Sequence, residues 1–282
     1  MKCQWQAYMN LLPHWMRQEV DKQGRECLQE LRIRIGHPPE LVLKKESVYL
    51  DKPATKEDIA FIVNVASEYS PWTAGTVAQG FLTAPGGHRI GICGVCAVSQ
   101  GKICSVSQPT SLCLRVARDF NGIAEGASRI SGSVLIIGPP GSGKTTLLRD
   151  LIRCKSNLGQ GSVSVVDERE ELFPLYRGQA CFSTGLHTDI VCGCPKDVGI
   201  ESVLRSMNPN WIAVDEITGQ NDCQALLHAG WCGVNLLATA HAGSIQDLKT
   251  RPIYRPLVSN KLFPNIILLQ KDKSWTIERL SL

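Results

Sequence analysis

Hydrophobic and polar positions follow two rhythms along this chain. In the first half, Leu31-Arg32-Ile33-Arg34-Ile35 alternates strictly and predicts a half-buried strand, which Gly36-His37-Pro38-Pro39 ends before Glu40–Leu43 restarts an extended segment. Ahead of it, Trp5, Tyr8, Met9, Leu12, Trp15 and Met16 recur at near-helical spacing across Pro13, the mark of a short helix pair. Thr55 and Asp58 form a capping box, and Ile59, Ile62, Val63 and Ala66 make one helical stripe behind it. Phe81-Leu82-Thr83, a Pro85-Gly86-Gly87 turn and residues 89–98 predict a hairpin, with a further strand at 111–116. This half reads as α+β.

From residue 133 the rhythm changes to short apolar strands at 133–137, 162–166, 211–214 and 234–239, separated by helical stretches. Strands of that kind imply a parallel sheet covered on both faces. A small, polar stretch around Asn121, Gly122, Gly126 and Ser128 separates the halves. The predicted organisation is therefore a smaller N-terminal α+β domain over 1–120, a linker over 121–132 and a larger α/β domain over 133–282.

Composition sharpens this picture only in places. With 282 residues, 43% of them hydrophobic, the chain can fill two cores, and disorder is excluded. No apolar run approaches the roughly 18 residues of a bilayer-crossing helix, and no apolar leader with a small-residue cleavage site opens the chain, so an unsecreted protein is expected. Its twelve cysteines are accordingly expected to be reduced and mostly small buried hydrophobes. Cys93 and Cys96 make a poor chelate on a predicted strand, where positions i and i+3 face opposite ways.

Candidate chemistry begins at Gly138-Pro139-Pro140-Gly141-Ser142-Gly143-Lys144-Thr145, which fits the phosphate-binding loop pattern G-x-x-x-x-G-K-[ST]. Its glycines let consecutive N–H groups turn inward around phosphate oxygens, Lys144 reaches the β and γ phosphates of ATP, and Thr145, followed by Thr146, can ligate Mg2+. A strand precedes the motif and a helical pattern follows it, which is the context that the mechanism needs. Trp211-Ile212-Ala213-Val214-Asp215-Glu216 is an apolar strand ending in two acids. Ligands of parallel α/β sheets sit at the carboxyl ends of the strands, so these acids face the same crevice. Asp215 would hold Mg2+ through water, and Glu216 would orient or deprotonate the attacking water. A second acidic strand end, Asp167-Glu168-Arg169-Glu170-Glu171, offers Glu168 or Glu170 for that task, and the choice between Glu168 and Glu216 stays open. The strand over 234–239 leads to His241, an imidazole placed at the same edge to sense the γ phosphate.

In this order the motifs resemble the secretion ATPase superfamily, the hexameric motors of type II and type IV secretion: phosphate loop at 138–146, acidic box at 167–171, Walker B strand at 211–216, histidine box at 239–241. The chain is similar, closer still, to the stage III sporulation AA family of endospore formers. That similarity runs through residues 31–35, the hairpin at 81–94, Arg115-Val116-Ala117-Arg118, residues 165–170, Leu204-Arg205-Ser206-Met207-Asn208-Pro209, Asp222-Cys223-Gln224-Ala225, Thr239-Ala240-His241 and Arg251-Pro252. These matches span nearly the whole chain. The resemblance implies a RecA-like ATPase domain using ATP and Mg2+, a homo-oligomer, in this family a hexamer, and a cytoplasmic place in the mother cell, peripheral to the membrane channel complex that joins it to the forespore. It also implies that Arg89 or Arg115 supplies a cation to phosphates held by a neighbouring subunit. One departure stands out: Thr218-Gly219 follows Glu216-Ile217 where the family places glycine and arginine.

Net charge is only +4 and no tract interleaves basic with aromatic residues, which argues against a nucleic-acid groove. A nucleic-acid translocase, a nucleotide-gated scaffold and a small-molecule kinase are the competing classes; the two acidic strand ends and the histidine exceed what a kinase needs. Residues 249–282 carry seven basic side chains against two acids, a surface suited to docking on an acidic part of the channel.

Overall fold

In the computed structural model, which describes residues 1–68, 80–99, 101–159 and 161–280, the chain forms two units: Met1–Asp119 with Leu175–Cys181, and Phe120–Pro174 with Phe182–Leu282. Ser281 and Leu282, the end of the expected second domain, lie outside the described residues.

In the first unit α1 (Trp5–Asn10) and α2 (His14–Cys27) are separated at Pro13. They lead into β1 (Leu28–Arg34), β2 (Glu40–Leu43), β3 (Ser47–Tyr49), α3 (Lys56–Ser67), β4 (Phe81–Ala84), β5 (His88–Ser99) and β6 (Lys102–Arg115). The six strands form an antiparallel sheet in the order β3-β2-β1-β6-β5-β4. The capping box closes as expected: Asp58 N donates to Thr55 Oγ1 at 3.2 Å and Thr55 N to Asp58 Oδ2 at 2.9 Å. Ile59 and Ile62 of α3 join Met16, Val20, Leu31, Ile33, Ile90 and Leu114 in one core. His88 is fully buried there; burial pushes its imidazole down to about 4.

Two expectations are corrected here. Strand β6 starts at Lys102 rather than near Ser111, because three register irregularities, at Cys93/Gly94, Val95/Cys96 and Ala97/Val98, break the period that alternation relies on. The cysteines are not mainly core residues: only Cys154 and Cys223 are buried, while Cys27, Cys93, Cys96, Cys104 and Cys232 are exposed. Exposed positions on the β5–β6 arm and at a helix end account for most of these.

Residues 121–132, expected as a linker, fall within the second unit, where Ala124 N donates to the buried Asp150 Oδ2 at 2.8 Å. Then come β7 (Val134–Ile137), α4 (Lys144–Asn157) and β8 (Val163–Asp167). The chain next makes the small hairpin β9 (Leu175–Tyr176) and β10 (Gln179–Ala180), which belongs with the first unit. There Arg177 Nη2 lies 2.7 Å from Glu68 Oε1, and Tyr176 donates its hydroxyl to the same carboxylate. It returns as β11 (Thr188–Cys192), α5 (Lys196–Ser206), β12 (Trp211–Val214), α6 (Gln220–Trp231), β13 (Asn235–Ala240), α7 (Ile245–Thr250), α8 (Arg255–Ser259), β14 (Asn265–Leu269) and β15 (Trp275–Arg279).

The sheet runs β11-β8-β12-β13-β7-β14-β15, parallel except for the last pair. Every residue of β7, β8 and β12 is buried, as both faces of a covered parallel sheet require. Strand β15 is antiparallel because the short turn after Leu269 leaves no room for a crossover.

Candidate phosphate-binding site

Parallel pairing in register aligns the carboxyl ends of the central strands: Ile137 pairs with Ala240, and Val214 with both Ala238 and Val166. The segments that leave these ends therefore gather at one edge. From β7 runs the loop Gly138-Pro139-Pro140-Gly141-Ser142-Gly143, in which Gly141 and Gly143 have φ of +71° and +102°, backbone that only glycine adopts without strain. Gly138 also needs the absence of a side chain, since a Cβ there would lie 2.5 Å from the Leu269 carbonyl oxygen of β14. Gly143 is the N-cap of α4, so the loop presents the amides and the positive dipole end of a helix.

Lys144, Thr145 and Thr146 open α4. The buried Lys144 Nζ donates to Gly138 O at 2.9 Å and Pro139 O at 3.0 Å and lies 3.1 Å from His241 Nδ1. Because an ammonium only donates, Nδ1 accepts and Nε2 carries the proton toward Glu216 Oε1, 3.0 Å away. Burial lowers the Lys144 pKa, with Glu216 and Asp215 pulling the other way. Thr145 Oγ1 donates to Asp215 Oδ2 at 2.7 Å, and Thr239 Oγ1 to Asp215 Oδ1 at 2.7 Å. Glu216 has φ of +30°, strained for a side chain of its size, and is held there by its N–H on Asp215 Oδ1 and Thr239 Oγ1. One connected set thus joins Lys144, Thr145, Asp215, Glu216 and His241.

Glu168 lies on the same edge but in a different pairing: its Oε2 is 2.5 Å from Nζ of Lys196, the first residue of α5, whose side chain is only 5% exposed. Both glutamates line one cleft with Asp167, Arg169, Glu171, Lys196, Asp215 and Thr218. Asp167 accepts from the backbone N–H groups of Glu171, Leu172 and Phe173, which shapes the acidic loop; burial still pushes its carboxyl up to about 6. Glu170, with φ of +53°, is not among the cleft residues.

Thr239 falls within the histidine box at 239–241, but nothing local assigns its hydroxyl a role, and Lys196, a lysine after a proline, carries no local signal. Lys273 is a third addition. It belongs to the basic run over residues 249–282, yet its Nζ donates to Gly141 O of the phosphate loop at 2.8 Å. Thr218-Gly219, the point of departure from the family pattern, lead into α6: Thr218 N and Gly219 N donate to Asp222 Oδ2 at 2.9 and 3.1 Å. Arg89 and Arg115 stand in the first unit as cross-strand partners. The Arg89 guanidinium lies 3.9 Å from the Phe81 ring centroid, and Arg115 Nε lies 3.2 Å from Glu30 Oε1 with the side chain 62% exposed.

The loop fits a phosphorylated ligand on its own terms. The Ser142 hydroxyl is buried with no hydrogen-bond partner, and a Cβ on Gly141 would meet nothing within 4 Å. Among the described residues no helix is long and apolar enough to cross a membrane.

Comparison with known proteins follows the same lines. Residues 4–278 match the family described as "Sporulation stage III, protein AA". Stage III sporulation protein AA of Bacillus subtilis (strain 168) is 36% identical over 265 residues, covering 90% of this chain and 86% of that protein. The X-ray structure of the Legionella pneumophila ATPase DotB aligns with a TM-score of 0.58 at 16% identity, over 95% of this chain and 80% of that one. The crystal structure of the pilus retraction motor PilT with bound ADP aligns with a TM-score of 0.58 at 14% identity, over 90% and 76%. At such identities the likeness shows the fold alone, a RecA-like α/β architecture shared with these two structures. By sequence and by fold together, this chain belongs to the sporulation stage III, protein AA family.

Proposed function

We propose that this protein hydrolyses ATP and serves as the motor of a secretion-type machine at the channel between mother cell and forespore. The observation that carries this reading is the connected set Lys144–His241–Glu216 and Thr145–Asp215–Thr239 at one strand edge, beside a glycine-rich loop that caps α4. Phosphate oxygens would replace the carbonyls of Gly138 and Pro139 on Lys144, a stronger, charge-assisted bond. Mg2+, held by Thr145 and through water by Asp215, would supply neutralisation of the β and γ charge. Glu216, fixed by its own backbone, orients the attacking water and takes its proton, while His241, bridging Glu216 and Lys144, registers whether the γ position is filled. Glu168, held by Lys196, is the alternative acceptor in the same cleft.

In this proposal the sites are completed between subunits of a homo-oligomer, a hexamer, with Arg89 or Arg115 reaching a neighbour's phosphates. It works in the mother-cell cytoplasm, peripheral to the membrane complex, with the basic residues from Lys249 onward, Lys273 excepted, docking on an acidic surface. The test is steady-state ATP hydrolysis by the purified protein across a range of its concentrations, beside Lys144→Ala. Specific activity should rise with concentration and vanish in the variant. Tight ATP binding without turnover at any concentration refutes the motor reading and leaves a nucleotide-gated scaffold; stimulation by DNA with strong salt dependence would point to a translocase.

A further inference from the structure

We propose that Lys273 is a second cation of the phosphate-binding loop, binding the α and β phosphates of ATP and ADP alike; this rests on the nucleotide reading above. Its Nζ donates to Gly141 O at 2.8 Å, and a Cβ on Gly143 would lie 3.8 Å from its Cδ and Nζ. The ammonium therefore stands against the glycine stretch of the loop, whereas Lys144 Nζ sits on Gly138 and Pro139 and turns toward His241. In loops of this pattern the glycine-stretch amides cradle the α and β phosphates, and the motif lysine serves β and γ. Two lysines from different elements, resting against different parts of one loop, thus divide the phosphate chain between them.

The sheet builds this placement. Strand β14 lies parallel to β7, with Leu268 paired to Ile137, and the Leu269 carbonyl packs on Gly138, so the turn after β14 emerges beside the loop after β7. The turn is closed by Gln270 N on Ser274 O at 2.9 Å and Lys273 N on Gln270 O at 3.2 Å. Lys273 has φ of +76°, where glycine is the unstrained choice, and a lysine stands there nonetheless. Its acidic neighbour does not neutralise it, because Asp272 is engaged by Ser274 N at 3.0 Å and Ser274 Oγ at 2.6 Å. Among the described residues no carboxylate pairs with Lys273. An exposed ammonium resting on a neutral carbonyl gains by moving to a phosphate oxygen, since charge-assisted bonds are roughly twice as strong.

The experiment measures ATP and ADP dissociation constants by calorimetry on the full chain, for the unaltered protein, Lys273→Gly, Lys273→Arg, Lys271→Ala and Lys144→Ala. Lys273→Gly removes the cation while relaxing the positive φ, so folding is not at risk. It should weaken both nucleotides about tenfold, the loss of one charge-assisted contact, with Lys273→Arg restoring most of the affinity and Lys271→Ala leaving it in place. Unchanged or tighter binding by Lys273→Gly, loss confined to ATP, or an equal loss in Lys271→Ala would overturn the assignment. If instead the folded, unaltered protein binds neither nucleotide, the nucleotide reading itself fails, and with it this inference; if Lys144→Ala alone loses binding, only the inference does.

Discussion

Acidification should loosen the first unit through a single buried ring. His88 Nε2 donates to Gln4 O at 3.1 Å, and Nδ1 accepts from Ala117 N at 3.0 Å, so the neutral ring uses both nitrogens and a second proton would set donor against donor. Burial, its largest cause, lowers the pKa from 6.5 to about 4. Between those two values the unfolded chain binds a proton that the folded chain refuses, so stability is complete above about 6.5 and falls as the pH drops toward about 4. At about 1.4 kcal/mol per pH step, the loss approaches about 3 kcal/mol at pH 4, a large part of a typical stability. Hydrogen exchange of the amides of β5 and β6, corrected for intrinsic rates and followed from pH 7 to 4.5, reads this directly. His88→Gln keeps a donor for Gln4 but strands the Ala117 N–H; it should be less stable at pH 7 by about 1–3 kcal/mol and should lose most of the pH slope. Equal protection across that range in the unaltered protein, or the same slope in His88→Gln, would refute the reasoning.

Three further outcomes are expected. Glu216→Gln should lower turnover by about 100-fold while ATP still binds, whereas the reverse pattern, with Glu168→Gln and Lys196→Met sharing that loss, would move the proton acceptor to Glu168. Arg115→Ala should bind nucleotide and hydrolyse it poorly, and mixing it with Lys144→Ala chains should restore part of the activity; no rescue in assembled mixtures would falsify action across an interface. Gly138→Ala drives a Cβ to within 2.5 Å of the Leu269 carbonyl, so thermal unfolding should fall by several degrees and nucleotide affinity with it. An unshifted melting curve would show that β7 and β14 can separate cheaply there.

Much of the site was legible because its chemistry is compressed into short stretches at strand ends. The spacing from Gly138 to Thr145 and the acids after Val214 each declare themselves locally, and strand parallelism then brings them together, as Thr145 on Asp215 at 2.7 Å attests. Thr239, Lys196 and Lys273 kept their roles hidden for the opposite reason. Each is one polar residue in an otherwise ordinary strand, helix start or turn, and it gains meaning only from a partner tens of residues away. The same limit applied to β6, whose bulged half lacks alternation, and to the cysteines, whose burial depends on which face of an arm or helix they occupy rather than on their chemistry.

The excursion of Leu175–Cys181 into the first unit bears on how the chain is made. A ribosome that has passed Asp119 has not yet delivered the hairpin that anchors Glu68 through Tyr176 and Arg177. At about 5–20 residues per second, some 60 more residues must emerge over several seconds before that partner is available. During this interval the phosphate loop and α4 are synthesised, so the first unit is finished only after the front of the second has appeared. A break in the chain at the apparent boundary would therefore release a first unit lacking its last piece, and translation itself couples the completion of the two.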